Sequence, residues 1–444
     1  MKINKNIFLI FLIAFSFLLF IYKSRLRIFN LFKNSLNTEQ KSLIKKLIPK
    51  QISIKGISTL SSFEETKFKE DLKDIKIKRM EDLLIKDEMK LLKYKFKNGF
   101  YSGIYKEYPG SGYIDFYKNN LIVLSARGIV GFSPDLEKEL YFTQIKNNIE
   151  KYIGFEQFSK GRSFSIKDFT IIDNNIFVSY SEEIKENCWN TSIIVANMNF
   201  KKLEFKKFYS PNECIHSKNN PDNQFNALQS GGRIIKFDKN NIIFTLGDYR
   251  SRYLAQDRNS VNGKIIKINI NNKKVELISM GHRNPQGIFL DKDNKILLET
   301  EHGPQGGDEI NLINISDMYN KKLLNYGWAI SSTGEHYGGR NDANQNIYKK
   351  YPLHNSHKKF GFIEPLKSFV PSIGISEITK INRNRYLVSS LKAKSIYLFK
   401  LDRERKISSF DEINIGERIR DILFKKNRLY LFLEDSPSIG IINF

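Results

Sequence analysis

Short apolar runs separated by turn-forming residues recur through most of this 444-residue chain, and they constrain its fold more than any other feature. Typical segments are YIDFYKNNLIVLSA, FTIIDNNIFVSYSE, GRIIKFDKNNIIFTLGD and RYLVSSLKAKSIYLFKLD. The Asn-Asn, Asp-Asn and Lys-Asn pairs between the runs suit tight turns that need left-handed backbone. Repeated short strands at this spacing predict an all-β fold.

The length of this strand-rich region narrows the choice of all-β folds. It begins at about residue 93 and continues to residue 444, which is too long for a single small sandwich. Radial repetition of four-stranded sheets accommodates this length and leaves few exposed sheet edges. We therefore expect residues 93–444 to form a β-propeller, although no clean internal repeat fixes the number of blades.

The first 22 residues predict a membrane segment. Residues 7–22, IFLIFLIAFSFLLFIY, are almost purely apolar, which suits a short spanning helix or the core of a signal peptide. Because no small-residue cleavage site follows, we expect an uncleaved anchor over residues 1–22. The orientation is ambiguous, because basic residues after the run outnumber those before it and favour a cytoplasmic location for that flank. These residues are Lys23, Arg25 and Arg27 against Lys2 and Lys5.

The segment from residue 23 to residue 92 is rich in charges of both signs. Stretches such as KFKEDLKDIKIKRMEDLLIKDEMKLL are typical of an exposed helix or spacer. We therefore expect a charged helical spacer between the anchor and the propeller.

The formal net charge of +24 raises the possibility of an anionic partner. The lysines are spread singly or in pairs along the whole chain, with no basic stripe interleaved with aromatic residues and no nucleic-acid motif. This distribution argues against nucleic-acid binding and favours a solvated lysine-rich surface, with attraction to an acidic membrane surface as the alternative.

The two cysteines, Cys188 and Cys214, form no CxxC pair, which excludes a zinc ribbon and a thioredoxin site. Because they flank strand-like segments, they could form one disulfide in an oxidising compartment. The alternative is a pair of free thiols.

The most specific motifs begin at residue 281. They are GHRNPQG at 281–287, EHGPQGGDE at 301–309 and NYGW at 325–328, followed in order by EPLKSFVPSIGIS, SSLKAKSIYLFKLD and GERIRDI. In this set and order they resemble the soluble aldose (glucose/sorbosone) dehydrogenases that use pyrroloquinoline quinone (PQQ). The resemblance extends roughly from Asp168 to the C-terminus, with Ala329 in place of the proline that follows NYGW in the family.

The resemblance implies a six-bladed propeller that binds PQQ. PQQ is a planar tricarboxylate, so its site needs cations and amide donors, and arginine forks suit carboxylates. Residues two apart in a strand face the same way, so Arg418 and Arg420 can address one ligand together. The cofactor-binding residues implied by the resemblance are Arg283, Asn284, Gln286, Tyr337, Lys392, Arg418 and Arg420.

The resemblance also implies two calcium ions, which are hard cations that take oxygen ligands. It assigns the carbonyl groups of Gly303 and Pro304 to a calcium ion that touches the quinone. It assigns Glu309 and the carbonyl group of Tyr326 to a second, structural calcium ion. Without the flanking GPQGG, Asp308 and Glu309 would be interpreted as an ordinary acidic turn.

Three further polar residues near these motifs have simpler interpretations. His282 and His302 are too far apart in sequence for a short-spaced zinc site. We expect both to make structural hydrogen bonds, and we expect Asp248 to be a turn residue at a strand end.

The chain departs from the family pattern at the catalytic base. The family has a histidine four residues before the arginine of an HxGGR-type motif, whereas counting back from Arg233 in FNALQSGGRII places Gln229 there. Glutamine does not titrate, and losing a general base typically costs about 10²–10⁴ in rate. A family glutamine further upstream is matched here by Ser163. The cofactor side is therefore retained and the substrate side altered.

Three explanations of this departure remain open. Another residue supplies the base from a shifted loop, and the candidates are His216, Glu335 and His336. Alternatively the substrate is not an aldose, or the propeller binds the quinone or a sugar without turnover.

The sequence thus favours a PQQ- and calcium-dependent oxidoreductase acting on a sugar or alcohol, with Arg283 near the developing oxyanion and Gln229 at the base position. The expected location is the inner (cytoplasmic) membrane, with a single pass and the propeller on the extracytoplasmic, periplasmic side. The electron acceptor is not specified by the sequence. The alternatives are a non-catalytic propeller that binds a sugar, a quinone or a partner protein, and a calcium-dependent lactonase.

Overall fold

The computed structural model describes residues 62–444 apart from residues 87, 107, 135–138 and 321–322. The chain divides into two compact units, Met1–Thr66 and Lys67–Phe444, and the strands of the described residues belong to the second unit. The anchor predicted at residues 1–22 lies outside the described residues. Within the described part of the chain, no helix is long and apolar enough to cross a membrane.

The strands form six sheets, each built mainly from consecutive strands. The described region begins with β1 (Ile77–Arg79), β2 (Leu83–Lys86) and β3 (Met89–Phe96). The first blade contains β4 (Gly112–Tyr117), β5 (Asn120–Ser125), β6 (Val130–Ser133) and β7 (Thr143–Asn147), with β11 (Lys202–Leu203) at its edge. The second contains β8 (Ile166–Ile172), β9 (Asn175–Lys185), β10 (Cys188–Asn197), β12 (Lys206–Tyr209) and β13 (Ile215–His216).

The remaining four blades follow the same plan. The third contains β14 (Gly231–Lys236), β15 (Asn241–Leu246), β16 (Lys264–Asn269), β17 (Val275–Met280) and β21 (Leu324–Asn325). The fourth contains β18 (Pro285–Asp291), β19 (Ile296–Glu301), β20 (Asp308–Asn314) and β22 (Lys367–Phe369). The fifth contains β23 (Ile375–Asn382), β24 (Arg385–Ser390), β25 (Ser395–Leu401) and β26 (Ile407–Asn414). The sixth contains β27 (Ile419–Lys425), β28 (Arg428–Leu433) and β29 (Ser438–Asn443), completed by β3, β1 and β2.

Among residues 62–444 as described, the helices are short, and all but the first lie in connections between strands. One helix covers residues 62–71, and the others are Phe155–Lys160, Ile315–Tyr319 and Gln345–Lys350. Single 3₁₀ turns occupy Ile149–Lys151, Arg252–Gln256, Asp342–Asn344 and Lys358–Phe360.

The six sheets close into a ring, which confirms the six-bladed propeller. The innermost strands β4, β8, β14, β18, β23 and β27 contact one another in that order, and β27 returns to β4. The ring closes within the sixth blade, where the C-terminal strand β29 pairs antiparallel with the N-terminal strand β3. Hydrogen bonds rather than an open edge therefore join the two ends of the propeller.

The apolar core lies between neighbouring blades, and strand β5 shows how the sequence produces it. Its residues are buried on both faces, with Leu121 and Val123 in one cluster and Ile122 and Leu124 in the next. Side chains alternate across a strand, so a continuous apolar run fills the spaces on both sides of a sheet. The short apolar runs of the sequence are therefore strands sandwiched between blades.

The propeller begins earlier than the boundary predicted at residue 92. Residues 77–92, expected to be part of a helical spacer, form β1, β2 and the first half of β3. Leu91 is fully buried and pairs with Ile442 of the C-terminal strand. The exposed charges of this segment suggested a helix, but pairing with a distant strand determines its conformation.

The structure confirms the predicted disulfide between Cys188 and Cys214, which are 26 residues apart. Cys188 begins β10, and its bond fixes the loop that leads to β13. Closing a loop of this length stabilises a fold by about 3 kcal/mol in the chain-entropy model.

Candidate functional site

The innermost strands begin at the same end of the central channel, and the predicted site residues lie at these beginnings. Gln229 precedes β14, Arg283 and Asn284 precede β18, and Arg418 precedes β27. The hydrogen-bonded pairing of the innermost strand with the next strand is irregular at this end in five of the six blades. The register shifts lie between Ile166 and Asp168, Gly231 and Ile234, Pro285 and Gly287, Ile375 and Ile378, and Ile419 and Asp421. Such bulges redirect side chains and are frequent beside functional sites.

Two of the predicted cofactor residues meet across the channel. Nη1 of Arg420 in β27 donates to Oε1 of Gln286 in β18 at 2.9 Å. The Gln286 amide in turn donates to Asn284 Oδ1 at 3.1 Å, and that oxygen accepts from the backbone N–H of Gly231 at 3.2 Å. The sequence predicted that these residues converge, and the structure brings three blades together through them.

A buried carboxylate orients the arginine pair. Oε1 of Glu434 accepts from Arg420 Nε at 2.7 Å and Oε2 accepts from Arg418 Nε at 3.1 Å. Both guanidinium groups are thus fixed through Nε, and within the described residues Nη2 of Arg420 has no hydrogen-bond partner. Glu434 carries no motif signal in the sequence, because its role depends on the pairing of β27 with β28.

Arg283 is held in the same region. Its Nη1 donates to the His302 carbonyl oxygen at 2.9 Å, and its Nη2 lies 3.5 Å from the hydroxyl of half-exposed Tyr337. The guanidinium also faces the Trp328 ring, 5.4 Å from the ring centroid. Cation–π contacts and hydrogen bonds together leave Arg283 little rotational freedom.

The side chain of Gln229 is part of a series of hydrogen-bonded polar groups and is not in an open position. With its side-chain oxygen turned toward Arg283, it accepts from Nη2 at 2.9 Å and donates to Asp248 Oδ1 at 3.1 Å. Asp248 Oδ2 accepts from Trp328 Nε1 at 2.8 Å. Burial raises the pKa of Asp248, which Arg283 opposes. Asp248 is therefore a buried acceptor that positions Gln229 and Trp328, in addition to forming the strand-end turn expected for it.

Lys392 is connected to the region of the site through a hydrogen bond of its backbone and not through its side chain. Its N–H donates to the Ile373 carbonyl oxygen at 2.9 Å beside Gly374, which precedes inner strand β23. The side chain is exposed. Among the described residues the ammonium group makes no ion pair or hydrogen bond, so it can extend to a ligand.

The two motif histidines differ in their surroundings. His282 is fully buried, with Nε2 2.7 Å from Ser279 Oγ and Nδ1 3.1 Å from Glu301 Oε1, and it thus makes the hydrogen bonds expected for it. His302 has its Nε2 buried without a hydrogen-bond partner in the described part of the chain. Burial lowers its pKa, and the nearby Arg420 and Arg283 lower it further. A partnerless nitrogen near two arginines fits a site that holds an additional polar, anionic group.

The GPQGG loop can supply carbonyl oxygens to a hard cation. Asp308 fixes the loop, because Oδ1 accepts from Gly303 N at 3.0 Å and Oδ2 accepts from Gly374 N at 2.7 Å. The Pro304 carbonyl oxygen has only a long contact, 3.4 Å, from Ser372 Oγ. These carbonyl donors are the ligand type that Ca²⁺ prefers, so Gly303 and Pro304 fit the first calcium site.

The second calcium site does not fit its predicted ligands. Nδ1 of His357 lies 2.9 Å from the Tyr326 carbonyl oxygen, and its Nε2 lies 3.2 Å from Glu309 Oε1. Burial lowers the pKa of His357, but Glu309, the Tyr326 carbonyl group and Glu364 together raise it, and the net pKa is raised. One imidazole thus occupies the position between the two oxygen ligands.

We expect His357→Ala to lower the free energy of unfolding by about 2–3 kcal/mol, because Glu309 and the Tyr326 carbonyl would lose a buried partner. The variant should gain more stability from added Ca²⁺ than the wild type does, since two oxygen ligands would then face an open space. Thermal unfolding with Ca²⁺ and with a chelator measures both effects. Equal calcium responses in the two proteins would contradict this interpretation.

The three alternative base candidates are already engaged. Nδ1 of His216 accepts from two backbone N–H groups at 3.1 Å each. Glu335 accepts from the Tyr348 hydroxyl and pairs with Arg340. His336 Nε2 lies 2.8 Å from the Tyr351 carbonyl oxygen, and burial lowers the pKa of His336 to about 4. In the described part of the chain, none of the three makes a hydrogen bond or ion pair with Arg283 or Arg420.

Just inside the channel, one arginine binds three carboxylates. Nη1 of Arg233 lies 2.9 Å from Asp168 Oδ1, 2.9 Å from Glu377 Oε2 and 3.0 Å from Asp421 Oδ1. Its Nε donates to the Gln286 carbonyl oxygen at 2.6 Å. In the sequence Arg233 served only to locate Gln229, and its contacts to four other blades could not be predicted from spacing.

Comparisons with known proteins agree with this geometry. Residues 167–442 match the family model described as glucose/sorbosone dehydrogenase. The chain is 32% identical over 196 residues to the uncharacterized protein slr1608 of Synechocystis sp., covering 40% of this chain and 43% of that protein. It is 27% identical over 230 residues to aldose sugar dehydrogenase YliI of Escherichia coli, covering 47% and 57%. The chain thus spans about half the length of these curated relatives.

Solved structures show the same fold. A glucose dehydrogenase crystal structure superposes with a TM-score of 0.59 at 17% identity, covering 83% of this chain and 99% of that one. The PQQ-bound aldose sugar dehydrogenase of Streptomyces coelicolor superposes with a TM-score of 0.57 at 14% identity, covering 83% and 98%. At such identities the likeness concerns the fold alone.

Proposed function

The chain belongs to the glucose/sorbosone dehydrogenase family, and on this premise we propose that it is a PQQ- and calcium-dependent oxidoreductase that oxidises a sugar or another alcohol outside the cytoplasm. The observation that carries the proposal is the convergence of Arg283, Arg418 and Arg420 with the Gln286 amide at one end of the channel. A flat tricarboxylate requires this combination of forked cations and amide groups.

The side chains have distinct tasks in this proposal. The Nη groups of Arg418 and Nη2 of Arg420 would bind carboxylates of the cofactor, and the exposed ammonium of Lys392 would reach another. The carbonyl groups of Gly303 and Pro304 would hold calcium. When bound, the quinone accepts a hydride from the substrate while calcium polarises the quinone carbonyl as a Lewis acid.

Arg283 would stabilise the negative charge that develops on the substrate oxygen. Its contacts to Trp328, Gln229 and the His302 carbonyl group fix its guanidinium before a substrate arrives. Preorganised donors of this kind stabilise a transition state without reorganisation during the reaction. The ring of Tyr337, beside the same guanidinium, would cover the cofactor.

Two features support the proposed location, the apolar residues 7–22 and the disulfide. A single anchor helix would hold the propeller on the periplasmic side of the inner membrane, where disulfides persist. An anchored enzyme would deliver its electrons to a membrane or soluble acceptor nearby.

A non-catalytic propeller that binds a sugar or quinone is the second candidate. It is favoured by Gln229, which cannot titrate and is already hydrogen-bonded to Asp248 and Arg283. This candidate predicts cofactor or sugar binding without any turnover.

Reconstitution of the purified full-length protein tests the proposal. We expect PQQ to bind in the presence of Ca²⁺ and to bind much more weakly with a chelator, followed by dye reduction with at least one sugar or alcohol. Absence of PQQ binding would refute the dehydrogenase function. Binding without reduction by any substrate in a broad screen would establish the non-catalytic candidate instead.

A further inference from the structure

A buried lysine lies at the start of the second inner strand. Lys167 is the second residue of β8, and its Nζ donates to the Ser163 carbonyl oxygen at 2.5 Å and to the Ala227 carbonyl oxygen at 3.0 Å. An ammonium group has three protons, so two are bound to carbonyl groups and the third position remains for another partner. Ala227 is two residues from Gln229, so this amine adjoins the segment that lacks the family's base.

Lys167 stands at the same place in its inner strand as two predicted cofactor residues do in theirs. Gln286 is the second residue of β18 and Arg420 is the second residue of β27, and their side chains meet across the channel. The charge of Arg420 acts on Lys167, which places the amine within electrostatic range of the arginine pair.

The neighbouring strand leaves room for this lysine. Gly232 is the second residue of β14, and a Cβ atom at this position would lie 2.4 Å from the Lys167 Cβ. Any larger residue would displace the lysine stem. The absence of a side chain at Gly232 therefore provides the space that the stem of Lys167 occupies.

We propose that Lys167 is the general base of the oxidation, in the role that Gln229 cannot perform; this inference rests on the proposed function. The neutral amine, whose two N–H groups donate to the two carbonyl groups, takes the proton of the substrate hydroxyl on its lone pair, while the hydride on the carbon that bears this hydroxyl passes to the bound quinone. The O–H and C–H bonds break, the carbonyl bond forms, and the quinone takes up the electron pair. The proton on Nζ then leaves to solvent or to the reduced cofactor.

The surroundings of Lys167 favour the neutral amine far more than water does, so that a large fraction of it is neutral near pH 7. Burial, assisted by the charge of Arg420 in β27, lowers the pKa of Lys167 to about 7. Asp168, on the same strand, is turned toward Arg233 of β14. From β4, burial raises the pKa of Tyr113 to about 12, so this phenol stays neutral. A base is most effective when its pKa lies near the operating pH.

Lys167→Met and Lys167→Arg test the role in the full-length, PQQ- and Ca²⁺-loaded protein. We expect each to lower kcat by about 10²–10⁴ while the PQQ dissociation constant stays within about threefold of the wild-type value. For the wild type, kcat/KM should rise with pH through about 7 and then level, because the amine must be neutral. This rise should be absent in Lys167→Met. Lys236→Met, on the far end of inner strand β14 with a partly exposed ion pair, is the matched control and should leave kcat unchanged.

A rescue variant and a measurement without cofactor complete the test. The double variant Lys167→Met/Gln229→His should have a kcat at least tenfold higher than that of Lys167→Met, because an imidazole at position 229 can donate to Asp248 and accept a proton. Nitrogen-15 NMR of lysine Nζ in the cofactor-free protein should show one amine titrating near pH 7 that is lost in Lys167→Met.

The outcomes separate the two proposals. If the wild type does not bind PQQ, the proposed function fails and the base assignment fails with it. If the wild type binds PQQ and turns over but Lys167→Met retains its kcat and its pH profile, only the base assignment is refuted. Titration of the Lys167 amine at the ordinary value near 10.4 would refute it as well.

Discussion

Replacing Arg233 by methionine is expected to lower the free energy of unfolding by about 3–5 kcal/mol at pH 8, the largest stability loss we predict for a single residue. The guanidinium is buried, and its Nη1 lies within 3.0 Å of carboxylate oxygens of Asp168, Glu377 and Asp421. These come from three different blades. Methionine would preserve much of the volume but leave three buried carboxylates without a cation.

The loss from Arg233→Met should depend on pH. Burial raises the pKa of Glu377 to about 7 and also raises the pKa values of Asp168 and Asp421, while Arg233 opposes each shift. A carboxyl group whose folded pKa is raised stabilises the fold fully below its unfolded pKa near 4, and this contribution is lost as the pH rises through the folded pKa. Without Arg233 the shifts would be larger, so the variant should be closest to the wild type at pH 5 and furthest from it at pH 8.

Guanidinium titrations at pH 5 and pH 8, followed by the fluorescence of Trp189 and Trp328, measure both effects. Arg403→Met is the matched control, because Arg403 is exposed in the turn between β25 and β26 at the opposite end of the propeller. It should change stability by less than about 0.5 kcal/mol. Equal stability of the wild type and Arg233→Met at pH 8 would show that Arg233 does not compensate these carboxylates.

Local sequence patterns sufficed to predict the all-β class and the interior of each blade. Strand β5 is an example, because its continuous apolar run and flanking asparagines specify a short strand buried on both faces. The start of the propeller could not be predicted in the same way. Residues 77–92 are charged, and they become strands only because β29, more than 300 residues later, offers an edge to β3.

The residues of the candidate site also fall into two groups, those that local motifs predict and those that depend on the pairing of distant strands. Arg283, Gln286 and Arg420 were predicted from motifs, and the structure brings them to one end of the channel. Glu434 and Lys167 were missed, because neither stands in a recognisable motif. Their roles follow from the register between neighbouring strands and from the closure of the ring, which no local spacing encodes. The position of His357 between the predicted ligands of the second calcium site was missed for a related reason, since it comes from a loop that sequence does not place.

Arg420→Met should weaken PQQ binding by about 30- to 1,000-fold, the largest effect on binding that we predict. The side chain is anchored by Glu434 through Nε and by Gln286 through Nη1, which fixes its guanidinium and leaves Nη2 without a hydrogen-bond partner among the described residues. Removing one partner from a buried, hydrogen-bonded charge pair costs about 2–4 kcal/mol, which corresponds to this loss of affinity. Titration of the apoprotein with PQQ, followed by absorbance in excess Ca²⁺, measures the dissociation constant.

Arg420→Lys separates the charge of this residue from its geometry. Lysine keeps the positive charge but cannot bind Glu434, Gln286 and a ligand carboxylate in one plane, so we expect an intermediate loss of about tenfold. Arg403→Met removes the same charge from the far end of the propeller and should leave the affinity unchanged, which excludes a general effect of net charge. If Arg420→Met and Arg403→Met bound PQQ equally well, the arginine pair would have no part in holding a tricarboxylate. Glu434 would then bury its charge beside Arg418 and Arg420 for the stability of the sixth blade alone.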